Sequence, residues 1–197
     1  MGEMIKMVLV LTVLSIISGG SLSYLEKNLK PIQEKQIMQL VKGPAVRQIL
    51  QGASNKPVDD VLTLGEGKNA SKVFYGVYEG KPKVVVMESE GKGYGGPIGL
   101  LVAIDMEKQA LHGIGVTTHT ETGGLGAEAK DNPEWAAQFT GKSINKKIQV
   151  TGDGGEISAI GGATITSRAV CDATNKAVAT YQEIKPQLTE KLQGVAK

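Results

Sequence analysis

The chain has 197 residues and a formal net charge of +2, with 41% apolar and 21% charged residues. This balance excludes a highly charged disordered chain, and the length suits one medium domain with a small appendage. A net charge near zero does not predict nucleic acid as a partner, because phosphate neutralisation needs a concentrated basic face. The single Cys171 cannot form an intrachain disulfide, and one Cys with two His supplies too few ligands for a typical zinc site.

Residues 7–25 contain no charged side chain and predict a transmembrane helix. As a helix this segment is about 28 Å long, close to the ~30 Å thickness of the hydrocarbon core. Two alternatives stay open: a cleaved signal peptide, for which SGGSLS offers small residues at the cleavage site, and a buried core helix. Lysines are more numerous after the segment than before it, so the positive-inside rule would place the large domain in the cytoplasm.

Residues 26–72 predict a stalk helix followed by a linker. Apolar residues recur at roughly helical spacing up to Val41, and Gly43 with Pro44 is expected to interrupt the helix. Residues 52–72 are rich in Gly, Asn, Lys and Asp and predict a loop.

The strands are expected to begin after this linker. Segments 73–78 and 84–88 predict one hairpin, and segments 100–105 and 110–119 predict a second. A short strand is expected at 147–150. Adjacent strand pairs with helices grouped at the two ends indicate the α+β class.

Two helices are expected in the second half of the chain. A short helix is predicted over 132–139, and the last helix is predicted to start near Thr166. Pro186 is expected to end or kink that helix. The predicted domain is therefore 73–185, followed by a C-terminal tail at 186–197.

The most distinctive segment is GGATITSR at residues 161–168, a glycine-rich junction before a helix. Two glycines let the backbone approach a ligand closely, and the hydroxyls of Thr164, Thr166 and Ser167 lie where the helix begins. First-turn amides and the helix dipole favour an anion such as a phosphate there, and Arg168 can add a cation. The alternative interpretation makes Thr166 or Ser167 an N-cap and the glycines a simple turn.

Two further glycine-rich loops follow predicted strands. Residues 119–126, HTETGGLG, bring an imidazole, a carboxylate and hydroxyls together beside flexible backbone. Residues 91–99, GKGYGGPIG, carry Tyr94, which either stacks on a planar ligand or covers the edge of the core. Three such junctions in one domain predict a bound cofactor with a phosphate and a flat ring system.

At these residues the sequence resembles the FMN-binding subunits of bacterial ion-translocating redox complexes. These are the G subunit of the Rnf complex and its relative, the C subunit of the Na⁺-translocating NADH:quinone reductase. The resemblance covers the N-terminal span, the G-x-G-Y-x-G-P-I loop, the H-x-E-T-x-G-L-G loop and the G-A-T-x-T-S segment, and the length favours the Rnf protein. Ser158, Gly161 and Gly123 stand where the family usually has Asp, Ser or Thr, and Pro.

The resemblance implies that FMN is attached covalently by a phosphoester to Thr164, with Thr166 as the alternative acceptor. A dedicated flavin transferase would make this bond. The other residues of the implied FMN site are Gly162, Ala163, Thr166, Ser167, Glu121, Thr122, Leu125, Gly126 and Tyr94. Cys171, seven residues after Thr164, is either a redox thiol near the flavin or a small buried residue of the last helix.

The function implied by the resemblance is that of an electron-transfer subunit with no complete active site of its own. Its partners would be the other subunits of a complex that couples ferredoxin–NAD electron flow to Na⁺ or H⁺ movement. The resemblance also implies a single-pass protein of the inner or plasma membrane, with residues 1–6 in the cytoplasm and the flavin domain on the outer, periplasmic face. A rival hypothesis is a membrane-anchored binding or assembly subunit with no redox role, whose glycine loops are only structural.

Overall fold

The structure is a computed structural model that describes residues 2–65 and 71–194, and for Pro31 and Glu34 the backbone only. Contacts divide the chain into two compact units, Met1–Val41 and Lys42–Lys197. The described part of the first unit is helical, and the second contains the sheet and the candidate site.

Helix α1 spans Gly2–Ile37 and contains the segment predicted to cross a membrane. By its length and composition the helix is able to span a bilayer, and none of its most apolar window is buried. The rest of a protein covers a core helix, so this exposure does not fit the alternative of a buried core helix. The signal-peptide alternative stays open.

The predicted interruption at Gly43 and Pro44 is not found. A π-helical turn at Met38–Lys42 leads directly into helix α2, Gly43–Ile49. Pro44 lies in the first turn of α2 and has no N–H to donate to the preceding turn, and the irregular π-helical turn lies immediately before it.

The second unit contains one antiparallel sheet in which each strand pairs with the next along the chain. Its strands are β1 (Val61–Leu64), β2 (Ser71–Tyr78), β3 (Lys81–Lys92), β4 (Pro97–Asp105) and β5 (Ala110–Thr118). The two predicted hairpins and the α+β class are confirmed. The sheet also has a strand, β1, where a loop was expected over 52–72; residues 66–70 of that segment lie outside the described residues.

The predicted strand at 147–150 is wrong, because only Val150 makes a β-bridge, with Ile157. The Asn175 side chain takes the place of a strand partner. Its Oδ1 accepts from the amide of Ile148 at 2.9 Å, and its Nδ2 donates to the carbonyl of Ile148 at 2.8 Å. This one side-chain amide therefore satisfies the backbone that a neighbouring strand would otherwise satisfy.

The predicted short helix over 132–139 is found over 133–137, and a further short helix that was not predicted comes before it. Helix α3 is Glu128–Asp131, and helix α4 is Pro133–Ala137. The Asn132 side chain caps α4 by accepting from the amides of Glu134 at 3.1 Å and Trp135 at 3.2 Å.

Helix α5 spans Thr164–Gln193, which is longer at both ends than predicted. Pro186 lies inside this helix, at a typical cost of about 3 kcal/mol. Leu188 and Leu192 are 0% and 3% exposed, and burying two leucines contributes roughly 3–6 kcal/mol. This burial offsets the cost of the proline, so residues 186–193 belong to the folded unit and not to a tail; 195–197 lie outside the described residues.

The two faces of the sheet are covered by different helices. On one face, Val85, Met87 and Val102 pack in the core that α5 completes with Val170 and Tyr181. The other face is covered by α2, whose Val46 is fully buried. The compact unit therefore starts earlier in the chain than the predicted domain of 73–185.

Candidate functional site

A cleft of about 490 Å³ lies at one end of the sheet, where three glycine-containing segments meet. These segments are the β3–β4 connection at 93–96, the loop 119–127 after β5, and the start of α5. Its volume falls within the ~300–1,000 Å³ that is usual for small-molecule sites. The cleft is lined by Tyr94, Glu121, Thr122, Leu125, Gly126, Gly162, Ala163, Thr164, Ile165 and Thr166.

Nine of the ten residues predicted for the site line this cleft, and Ser167 does not. The Ser167 side chain is fully buried beneath the loop. Its hydroxyl donates to the carbonyl of Ala163 at 3.0 Å and accepts from the amide of Ile160 at 2.9 Å. Ser167 therefore fixes the backbone that leads into the cleft instead of facing a ligand.

Helix α5 begins at Thr164, two residues earlier than predicted. The capping interpretation of Thr166 and Ser167 is therefore wrong, because both lie inside the first turns. Ala163 is the N-cap residue and supplies no side-chain hydrogen bond. The first amides of a helix have no acceptor within the helix, so this uncapped start favours an anion.

Two threonines in the first turn of α5 differ in what their hydroxyls can do. The Thr164 residue is exposed at the cleft. Thr166 is 1% exposed, and its hydroxyl donates a short hydrogen bond to the Glu121 carboxylate. Of these two hydroxyls, only that of Thr164 is open to a reacting group from solvent.

Gly162 has the backbone conformation that the glycine loop requires. Its φ is +74°, in the left-handed region that residues with a Cβ rarely adopt. A Cβ placed there would lie 3.1 Å from Leu125 Cδ2, across the cleft. The glycine therefore allows both the turn into α5 and the close approach of the loop 119–127.

The edge of the cleft carries three apolar side chains with large exposed fractions. Tyr94 is 76% exposed, Ile165 is 50% exposed and Leu125 is 44% exposed. Ile165 was not predicted as a site residue, although its place between Thr164 and Thr166 is the signal that points to it. These side chains offer an apolar surface to a flat ring, beside a helix start that favours a phosphate.

The cation expected from Arg168 is directed elsewhere. Its guanidinium makes two hydrogen bonds of 2.7 Å to the Asp153 carboxylate, and Arg168 does not line the cleft. Hydrogen bonds from Arg168 lower the pKa of Asp153, and the same bonds raise the pKa of Arg168. Among the residues that the structure describes, those that form the cleft include no cationic side chain.

Cys171 is 2% exposed and faces the core from α5. The pKa of its thiol is raised to about 12, and burial is the main cause. A thiol with so little thiolate character is a poor redox or nucleophilic group. The structure therefore favours the packing interpretation of Cys171.

Comparisons with known proteins identify the class of domain and then the family of the chain. A family model described as "FMN-binding domain" matches residues 93–179, which include the whole cleft. A solved structure of the C subunit of Na⁺-translocating NADH-quinone reductase from Parabacteroides distasonis has the same fold, with a TM-score of 0.59 and 22% identity over 78% of this chain and 94% of that chain.

Two curated relatives are each named as the G subunit of an ion-translocating oxidoreductase complex. The protein of Methanosarcina acetivorans is 32% identical over 89% of this chain and 93% of its own length. The protein of Cereibacter sphaeroides is 32% identical over 73% of this chain and 69% of its own length. The chain belongs to this family, the G subunits of ion-translocating oxidoreductase complexes.

Proposed function

We propose that this protein is an electron-transfer subunit of a membrane-bound, ion-translocating oxidoreductase complex of the Rnf type. It holds FMN covalently, through a phosphoester between the flavin phosphate and Thr164 Oγ1. The observation that carries this proposal is the exposed Thr164 hydroxyl at the first residue of α5, inside a cleft that the FMN-binding family model covers. When bound, FMN supplies redox chemistry in one-electron or two-electron steps.

The different surroundings of the two threonines support Thr164, and not Thr166, as the attachment residue. An ester forms only if the hydroxyl oxygen reaches phosphorus and its proton can leave. Thr166 is 1% exposed, so its hydroxyl oxygen does not reach phosphorus without local opening, even though the Glu121 carboxylate can accept its proton. Thr164 is exposed, so phosphorus can reach its oxygen in the conformation described, and its proton can pass to solvent or to the transferase.

The start of α5 fits the charge of a phosphoester. A phosphodiester keeps one negative charge, and the positive end of a helix dipole stabilises a nearby anion by about 0.3–1 kcal/mol. The amides of the first turn can donate to the phosphate oxygens, since Ala163 places no side-chain acceptor over them. The phosphate is therefore held by backbone, and this explains why no Lys or Arg is needed in the cleft.

The apolar side chains at the edge of the cleft support a position for the isoalloxazine ring of FMN against that edge. Tyr94, Leu125 and Ile165 would lose exposed apolar surface when a flat ring system covers them. The loops 94–98 and 121–126 bring backbone amides to the same place, and such donors tune the potential of a bound flavin. The chain needs no substrate pocket of its own for this role, because electrons pass between centres of neighbouring subunits.

The proposed setting is a membrane complex. Helix α1 would hold the protein in the inner or plasma membrane as a single span, with residues 1–6 in the cytoplasm and the flavin domain on the outer face. The partners are the other subunits of the complex, which couples ferredoxin–NAD electron flow to Na⁺ or H⁺ movement, and a flavin transferase that makes the ester. The length and apolar character of α1 support the span, and the relatives' name supports an ion-translocating complex. The outer placement, the ferredoxin–NAD electron flow and the transferase follow from the family resemblance alone, and the lysine distribution by itself favours the opposite orientation.

Intact-mass spectrometry on three proteins tests the attachment. Wild type, Thr164→Val and Thr166→Val are produced with a flavin transferase and measured after denaturation. Wild type should carry the mass of one FMN less one water, and Thr164→Val should have the bare mass, because valine keeps the shape of threonine and removes its oxygen. Thr166→Val is the matched control and should keep most of the adduct.

Two other outcomes would contradict attachment to Thr164. An adduct that persists in Thr164→Val and vanishes in Thr166→Val would move the attachment to Thr166. A bare mass for the wild type under these conditions would contradict covalent FMN and favour the rival hypothesis of a non-redox assembly subunit.

A further inference from the structure

The carboxylate of Glu121 lies where the three segments of the cleft meet. Its Oε1 accepts a hydrogen bond from the amide of Gly95 at 2.8 Å, and its Oε2 accepts from the hydroxyl of Thr166. Gly95 belongs to the β3–β4 connection and Thr166 to the first turn of α5. One side chain therefore connects two segments that are 71 positions apart in the chain, and it belongs itself to the third.

The packing around this carboxylate leaves no room for larger neighbours. A Cβ at Gly126 would lie 2.6 Å from Glu121 Oε2 and 2.8 Å from Thr166 Oγ1. A Cβ at Gly93 would collide with Glu121 Oε1. Gly93 and Gly126 thus let the backbone close around the carboxylate. Two of the glycine-rich loops therefore need a glycine for packing against Glu121, and not only for contact with a ligand.

The neighbouring Thr120 strengthens the same connection. Its hydroxyl donates to the carbonyl of Gly95 at 2.9 Å, while the Glu121 carboxylate accepts from the amide of the same glycine. Both polar groups of the Gly95 residue are therefore satisfied by the loop after β5. The exposed Tyr94, one residue earlier, is held at the cleft edge by this pair of bonds.

We propose that Glu121 is a positioning residue: its two carboxylate oxygens join the β3–β4 connection to the first turn of α5 and thereby fix Tyr94 and Thr164 relative to one another. Each oxygen already accepts from a protein donor, and the role proposed for Glu121 is exerted through these two bonds. The consequence for the flavin rests on the proposed function, but the network itself is a property of the protein without cofactor.

Amide hydrogen exchange on the full-length, flavin-free protein in detergent tests the network. Glu121→Ala should speed exchange about tenfold or more both at 93–98 and at the hydrogen-bonded amides of α5 from Ser167 onward, because both hydrogen bonds of the carboxylate are lost. Glu121→Gln should stay within about threefold of wild type, since the amide oxygen still accepts from Gly95 and its NH₂ can donate to Thr166 Oγ1. Glu128→Ala, which removes a carboxylate from the adjacent α3, is the matched control and should leave both segments unchanged.

Thr166→Val provides a milder test if Glu121→Ala fails to fold. It removes only one of the two bonds, and exchange should rise at the α5 amides from Ser167 onward and less at 93–98. Wild-type exchange rates in Glu121→Ala, or rates in Glu121→Gln as fast as in Glu121→Ala, would overturn the proposal.

A second readout on the flavin-loaded protein separates positioning from a direct charge effect. In Glu121→Gln the visible absorption maximum and midpoint potential of the flavin should match wild type, whereas Glu121→Ala should change both. If Glu121→Gln changes them as much as Glu121→Ala does, the carboxylate acts on the ring by its charge, and the positioning role is contradicted. Absence of flavin from wild type would instead contradict the proposed function and leave the exchange result standing.

Discussion

The two ends of the sheet are built in different ways. At one end, β2 and β3 are joined by only Glu79 and Gly80, and β4 and β5 by the four residues 106–109. Glu79, Gly80 and Gln109 take positive φ values of 52°, 75° and 51° in these tight turns. At the other end, the loop after β5 is longer, and it forms the cleft with the β3–β4 connection and the start of α5.

The hydrogen bonds of the two ends join different segments. At the tight-turn end, Asp105 accepts from the amides of Glu107 and Lys108 at 3.0 and 2.9 Å, and Lys185 of α5 donates to Gln109 Oε1 at 3.0 Å. At the cleft end, Glu121 bonds to Gly95, 26 positions away, and to Thr166, 45 positions away. Long-range bonds therefore hold a tight turn against α5 at one end, and at the other end they hold the segments that line the cleft.

The largest effect is expected from a glycine at the cleft end. Gly126→Ala should lower the free energy of unfolding by about 1–3 kcal/mol, because the new methyl group would overlap the Glu121 carboxylate and the Thr166 hydroxyl. The variant should also lose most of its covalent flavin. Gly123→Ala, in the same loop with nothing within 4 Å of its Cβ, is the control and should keep both stability and flavin. Urea unfolding measures the stability, and intact mass measures the covalent flavin. Equal results for Gly126→Ala and Gly123→Ala would contradict the close packing of Gly126 against Glu121 as the cause.

A smaller effect is expected from a glycine at the tight-turn end. Gly80→Ala should lower the free energy of unfolding by about 1–2 kcal/mol, because alanine is strained at φ +75° although nothing lies within 4 Å of its Cβ. Covalent flavin should remain at the wild-type level, since this turn is remote from the cleft. Loss of flavin in stable, folded Gly80→Ala protein would show that the two ends are not independent.

The smallest effect is expected from the ion pair of Arg168 and Asp153, which lies beside the cleft but does not line it. The pKa of Asp153 is lowered by Arg168, so the pair stabilises the fold above the unfolded-state pKa of about 3.9 and loses this contribution as pH falls through the lower folded-state pKa. Arg168→Gln should therefore be slightly less stable than wild type at pH 7, and the difference should shrink by about pH 2–3. Urea midpoints at both pH values measure this, and a difference that does not depend on pH would contradict it.

The sequence predicted the hairpins and the residues that line the cleft because both depend on local signals. Short runs of apolar and β-branched residues bounded by turn residues identify strands β2 to β5, and glycine-rich junctions with hydroxyls mark the loops that meet at the cleft. β1 escaped prediction since its four residues lie in a polar, glycine-rich context. The strand predicted at 147–150 is absent because a distant side chain, Asn175, satisfies its backbone.

The errors in predicting the two ends of α5 also come from contacts between residues that are distant in the sequence. Thr166 and Ser167 have the composition of N-caps, but the bond from Thr166 to Glu121 and the bonds of Ser167 to the loop before it engage both hydroxyls elsewhere. Pro186 has the local signature of a helix end, and burial of Leu188 and Leu192 overrides it. Contacts between residues far apart in the chain decide these cases, and a single sequence does not display them.

Localising the adduct tests the central claim most directly. Full-length wild-type protein from its own host, or made with a flavin transferase, is digested, and the peptide containing residues 161–168 is fragmented in the mass spectrometer. The account predicts that this peptide carries one FMN less one water and that the fragment ions assign the added mass to Thr164. An unmodified peptide, or the added mass on any other residue, would contradict it.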